Sequence, residues 1–256
     1  MPQNGAWKGA IALVTGANKG IGFEIARGLG EHGATVLLGC RDQSLGNAAA
    51  TTLKADGLDV RPIVLDVTNG STIQAAAARL ESEFGRLDIL VNNAGIALEP
   101  MTKPSEVPLD VVRRVYDVNV FGVIAVTQAL LPLLAKSERG RIVNVSSTLG
   151  SIGMAAAANG AGSRSERGDP AFLPTILGYN SSKSALNSVT VQFANELRGT
   201  PIKVNAACPG YCATDLNRHS GPRTARQGAQ TPVKLATLPD DGPTAGFFND
   251  EGVVAW

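Results

Sequence analysis

Tyr179 and Lys183 stand four residues apart in a stretch with helical character, far downstream of a glycine-rich turn at 16–22. On a helix, positions i and i+4 share a face, so the spacing predicts the Lys183 ammonium beside the Tyr179 phenol, where it favours the ionised form. A phenol with an ordinary pKa of about 10 would then exchange a proton near neutrality. That is the chemistry needed to interconvert a carbonyl and an alcohol beside a hydride carrier. Such a pair also occurs on ordinary solvated helix faces, so the surrounding sequence decides what it means.

The elements that must position the pair are legible as an alternation. Short apolar runs at 11–15, 35–39 and 62–66 are each followed by an amphipathic stretch, beginning at Ile21, Ser44 and Ser71. The pattern continues with an apolar run at 87–92, a helix over about 109–135, a run at 141–145, a helix over 179–197 and a run at 202–206. A short seventh strand is expected at 246–248. Strands alternating with helices predict an α/β fold in which right-handed crossovers cover both faces of a parallel sheet. The expectation is one domain over 1–256, a doubly wound Rossmann fold of about seven strands, with ligands at the carboxyl ends of the strands.

Composition fits this architecture. With 44% hydrophobic but only 5% aromatic residues, the 256-residue chain can build a core of small aliphatic side chains. The 23 basic and 22 acidic residues nearly cancel, so no charge footprint points to nucleic acid or to an anionic membrane. Polar residues interrupt the apolar stretch 118–135, which reads as a buried helix rather than a membrane span. Cys40, Cys208 and Cys212 lack metal or redox spacing, and His32 and His219 lie far apart, so no metal site is expected. The free thiols fit a cytoplasmic setting.

In the nucleotide half, the turn containing Gly16, Asn18, Lys19, Gly20, Ile21 and Gly22 follows a strand and opens a helix. Backbone N–H groups and the helix dipole at such a junction hold a pyrophosphate, and glycines allow the backbone close to it. Past the second strand, Arg41 comes first and Asp42 follows. A guanidinium there grips a ribose 2′-phosphate, with Lys19 as a second cation, which favours NADP(H). Asp42 facing the ribose instead would weaken that preference.

Taken together, these residues resemble the short-chain dehydrogenase/reductase family from about Lys8 onward. The turn at 15–22 looks like its cofactor turn, Asp66 and Val67 like its adenine contact, and Asn92 with Asn93, Ala94 and Gly95 like its strand-four signature. Tyr179 and Lys183 look like its active site, and Pro209, Gly210 and Thr214 like its nicotinamide-side loop. The resemblance implies a catalytic set of Asn119, Ser147, Tyr179 and Lys183. In it, Tyr179 passes a proton to the carbonyl oxygen, Ser147 hydrogen-bonds that oxygen, Lys183 lowers the phenol pKa and grips the nicotinamide ribose, and Asn119 holds a water. Ser146 is the alternative to Ser147.

Ser147 and Tyr179 are 32 positions apart (179 − 147), wider than the resemblance implies. An insertion is therefore expected over about 150–178, as in the carbonyl reductase branch of the family, with a monomeric state and a wall for the substrate pocket as corollaries. A second irregular stretch, 216–230, is expected to fold over the pocket as a lid. The implied activity is NADPH-dependent reduction of ketones or aldehydes. The alternatives are an alcohol dehydrogenase or a ketone reductase of specialised metabolism and, from another class, a non-catalytic NADP(H)-binding sensor.

Overall fold

A computed structural model describes residues 7–158 and 174–256, so most of the expected insertion, 159–173, lies outside the described residues. Seven parallel strands form one sheet among them: β1 (Ile11–Thr15), β2 (Thr35–Cys40), β3 (Val60–Val64), β4 (Ile89–Asn92), β5 (Arg141–Val145), β6 (Lys203–Ala207) and the two-residue β7 (Phe247–Phe248). Their spatial order is β3-β2-β1-β4-β5-β6-β7. The order reverses between β1 and β4, and that switch opens a crevice at the strands' carboxyl ends.

The sheet is buried on both faces because each strand carries apolar side chains on both. In β1, Ala12 and Val14 join one core and Ile11 and Leu13 the other, as the two-residue period of a strand requires. The first core takes Ile25 and Leu29 of α1 (Gly20–Glu31), Leu53 of α2 (Gln43–Ala55) and Leu235 of a late helix at Ala225–Ala236. The second takes Leu80 of α3 (Gly70–Phe84), Val126 and Leu130 of a helix at Gly122–Leu134 and Phe193 of a helix at Leu177–Glu196. Truncating a fully buried residue such as Leu13 to alanine would cost about 2–5 kcal/mol.

Two expectations needed revision. The helix read over about 109–135 is three pieces: α4 (Leu109–Tyr116), a wide π turn at Asp117–Phe121 and α5 (Gly122–Leu134). Gly122 N–H donates to Asp117 O, five residues back, and a Cβ on Gly122 would stand 2.9 Å from Val67. Apolar periodicity hides such a bulge here because α5 is apolar almost all round, so a one-residue skip leaves no clear stripe to break. By length and composition Leu109–Leu134 is apolar enough to cross a membrane, yet half of its most apolar window is buried against the fold.

The second revision concerns 216–230, whose later part is helix. After α6 (Ile152–Ala158) and α7 (Leu177–Glu196) comes α8 (Ala225–Ala236), entered by a reciprocal cap between Thr224 and Gln227. It packs on α1, where Gly28 faces Val233 and Gly228 faces Ile21, and Gly228 also meets Cys212 of the loop after β6. Glycine and threonine made that stretch read as loop. On these surfaces the glycines permit helix contact and the threonine is the cap.

Candidate active site

The glycine turn joins β1 to α1 at the switch point. Gly16 and Gly20 have φ of +64° and +59°, values that L side chains rarely adopt. Gly22 is constrained by space: a Cβ would sit 2.4 Å from both Asn93 Nδ2 and Gly16 O. The β4 loop braces the turn from behind, as Asn93 Nδ2 donates to Thr15 O and Gly16 O at 2.9 and 3.2 Å. Thr15 Oγ1 accepts the N–H groups of Asn93 and Ala94 in return. Lys19, at the N-cap of α1, makes no side-chain cap, so the opening N–H groups remain available to an anion at the positive end of the helix dipole. These residues fit the pyrophosphate of a dinucleotide.

The groups around the turn sort themselves. Asp42 is committed to capping α2, accepting Ser44 N–H at 2.8 Å and Leu45 N–H at 3.0 Å, and these bonds with the Ser44 hydroxyl hold its carboxyl below the ordinary range. Arg41 is exposed and lines a cavity of about 640 Å³ together with Val67, Thr68, Ile96 and Arg114. Asp66 turns its carboxylate onto the N–H and hydroxyl of Thr68. Lys19 does not join Arg41: its ammonium pairs with Asp215, which also holds His219 at 2.8 Å. Thr214 lies against Gly20, at 3.8 Å from where a Cβ would stand, and Arg223 packs over Gly210, which has a φ of +75°. Asn18 and Ile21 are half-buried in the turn.

The catalytic candidates converge where β4, β5 and α7 meet. Ser146 is turned inward, donating to Asn187 Oδ1 at 2.6 Å, whereas Ser147 accepts Leu149 N–H at 3.2 Å and faces the Tyr179 hydroxyl. Lys183, 4% exposed, donates to Val145 O at 2.8 Å, and its ammonium lies 5.6 Å from the Tyr179 ring centroid. Asn119, in the π turn, takes Ile96 N–H on its Oδ1 and gives its Nδ2 to Ile96 O and Ser182 Oγ. A Cβ on Gly95 would stand 3.4 Å from Asn119 Oδ1 and 3.5 Å from Lys183 Nζ, so the strand-four glycine leaves room for both.

The electrostatics correct the expectation of an acidic phenol. Burial pushes Tyr179 up to about 12, against a smaller opposing pull from the Ser147 hydrogen bond. Burial also brings Lys183 down to about 8. Helical spacing does set the two side chains together, but it lays the ammonium against the ring and onto a carbonyl rather than beside the hydroxyl, and desolvation wins. Tyr179 keeps some surface open, so water offsets part of its rise.

A polar ladder beneath the site escaped the sequence reading. Asn92 Nδ2 donates to Asn144 Oδ1 and Thr127 Oγ1, and Asn144 Nδ2 donates to Thr190 Oγ1, tying β4, β5, α5 and α7 together inside the core. Its signal was an asparagine within each of two buried strands, where an apolar residue is the rule. Among the described residues no group of His, Cys, Asp or Glu is arranged to hold a metal ion.

Comparisons with known proteins converge on one lineage. The family model described as short chain dehydrogenase matches residues 10–165 and 169–225. A (-)-isopiperitenone reductase of Mentha piperita is 36% identical over 307 aligned positions, covering 95% of this chain and 97% of that one. Carbonyl reductase (NADPH) 3 of Rattus norvegicus is 37% identical, covering 96% and 98%. Among solved structures, the Pseudomonas aeruginosa RhlG/NADP active-site complex superposes with a TM-score of 0.82 at 30% identity, covering 98% of this chain and 97% of that one.

Proposed function

Since the chain belongs to the short-chain dehydrogenase family and is an NADP-dependent oxidoreductase, we propose that it reduces ketones or aldehydes with apolar bodies, using NADPH. The observation that carries this reading is the Tyr179 ring laid against a buried Lys183, with Ser147 facing the Tyr179 hydroxyl from the end of β5 and the glycine turn of α1 beside them.

When bound, the nicotinamide supplies the hydride that reaches the carbonyl carbon. The protein's part is to place and protonate the oxygen. Ser147 Oγ and Tyr179 Oη form a two-point seat for it, and the Tyr179 proton passes to the oxygen as charge develops there. A phenol whose pKa is raised by burial rests in its protonated form, which suits donation. Lys183 Nζ, held on Val145 O and lying next to Gly95, would hold ribose hydroxyls and return a positive charge to the site as the phenol loses its proton. Arg41, with Asp42 withdrawn into the α2 cap, would take the 2′-phosphate, and the carbonyl reductase (NADPH) relative supports that preference.

The decisive experiment follows NADPH oxidation against aldehydes, diketones, ketoesters and cyclic ketones, with NADH in parallel. NADPH-dependent turnover of at least one class is expected. Activity confined to alcohol oxidation would favour the dehydrogenase alternative, and equal use of both cofactors would undo the role given to Arg41.

A further inference from the structure

The loop after β4 carries a buried carboxylate, Glu99, that the chemistry above does not use. It is 9% exposed, and its Oε1 accepts the backbone N–H groups of Gly178 and of Tyr179, the latter at 3.0 Å. These belong to the first turn of α7, whose own N-cap residue, Ile176, supplies no capping side chain. A helix of 20 residues with an apolar residue at its cap would leave its first donors without partners. Here a residue 79 positions earlier in the chain satisfies them. Gly178 is the matching half of the contact: a Cβ there would lie 2.8 Å from Glu99 Oε1 and 3.1 Å from Oε2.

We propose that Glu99 is a positioning residue for Tyr179, fixing the start of α7 so that the phenol meets Ser147. This rests on the function read above, and it extends it to a group outside the catalytic set. The carboxylate holds the Tyr179 N–H, and from the other side Ser182 Oγ donates to Tyr179 O at 2.7 Å while itself accepting from Asn119 Nδ2. Asn119 holds both α7, at Ser182, and the β4 loop, at Ile96, and Glu99 is a member of that same loop. The same loop braces the glycine turn through Asn93. One segment thus sets the distance between cofactor turn and acid. A negative charge at a helix N-terminus is the favourable sign for the dipole, which helps explain how a carboxylate is tolerated there.

The test compares Glu99→Ala, Glu99→Gln and Gly178→Ala, with Tyr179→Phe as control. A misplaced acid costs turnover steeply, so Glu99→Ala should lose about tenfold or more in kcat while its NADPH Kd stays within about threefold of native. Glu99→Gln keeps an acceptor and should recover kcat to within about fivefold, the remainder reflecting the lost charge. Gly178→Ala improves intrinsic helix propensity yet pushes the carboxylate away, so it should lose kcat like Glu99→Ala, and it decides the matter if that variant fails to fold. Native kcat in Glu99→Ala or Gly178→Ala, or a loss in Glu99→Gln as deep as in Glu99→Ala, overturns the proposal. Hydrogen exchange at the Gly178 and Tyr179 amides, measured without substrate, separates this from the functional reading. Protection lost in Glu99→Ala and kept in Glu99→Gln supports the placement even if an active Tyr179→Phe were to displace the proposed mechanism, and unchanged protection in Glu99→Ala overturns it.

Discussion

The glycine turn and the Ser147–Tyr179–Lys183 cluster lie side by side at the carboxyl ends of the strands, yet they are built in opposite ways. The turn works through missing atoms: Gly22 has no room for a Cβ, Gly16 and Gly20 have positive φ, and the polar groups it offers are backbone N–H groups. The cluster works through side chains whose properties come from enclosure. Lys183 is fully enclosed with a carbonyl as its partner, and Tyr179 is pushed up by the same desolvation. A turn of the first kind tolerates no added atom. A cluster of the second kind tolerates isosteric change but loses its chemistry.

Tyr179→Phe presses that contrast hardest. Removing a general acid costs about 10² to 10⁴ in rate, and kcat should fall by that amount while NADPH affinity, measured by fluorescence, stays near native. Full activity in this variant would remove the acid from the mechanism. Gly22→Ala should show the reverse. Overpacking of about 1–3 kcal/mol would weaken NADPH binding by about ten- to a hundredfold in titration calorimetry, with kcat at saturating cofactor less affected.

The pH profile sharpens the comparison inside the cluster. Lys183 has its value lowered to about 8, so its ammonium is fully present below that pH and lost above it. Reduction measured at saturating NADPH should therefore decline as pH rises through about 8, approaching tenfold per unit. A profile flat to pH 10 would mean that Tyr179, not Lys183, limits the reaction. The smallest effect belongs to the periphery of the turn. Arg41→Ala should raise the NADPH Kd about tenfold and leave NADH binding unchanged, as expected for loss of one charge-assisted contact. Equal effects on both cofactors would assign Arg41 to the fold rather than to the phosphate.

Much of the fold was legible because its signals are local. The runs at 11–15 and 141–145 match β1 and β5 residue for residue, and the others shift by one or two positions at their ends. Glycines at 16, 20 and 22 announced a turn that must approach another backbone, and Arg41 and Val67 were singled out separately before the structure placed both on one cavity. Other features were not legible, each for a physical reason. The π turn around Asn119 runs into α5, which is apolar almost all round and so shows no stripe that the turn could break. The contact between Glu99 and the start of α7 joins residues 79 apart, and nothing in either stretch refers to the other.

By itself the sequence determined the strand and helix alternation, the glycine turn and the Tyr179–Lys183 pair, because periodicity, Cβ sterics and helical spacing act over a few residues, whereas Asn119 and Ser147 came from the family resemblance alone. Only the tertiary structure decided the electrostatics. It withdrew Asp42 into a cap, turned Lys19 toward Asp215, tied Ser146 to Asn187 while leaving Ser147 facing Tyr179, and reversed the expected direction of the Tyr179 shift. Charge responds to desolvation and to partners brought from distant segments, and neither exists until the sheet closes the site.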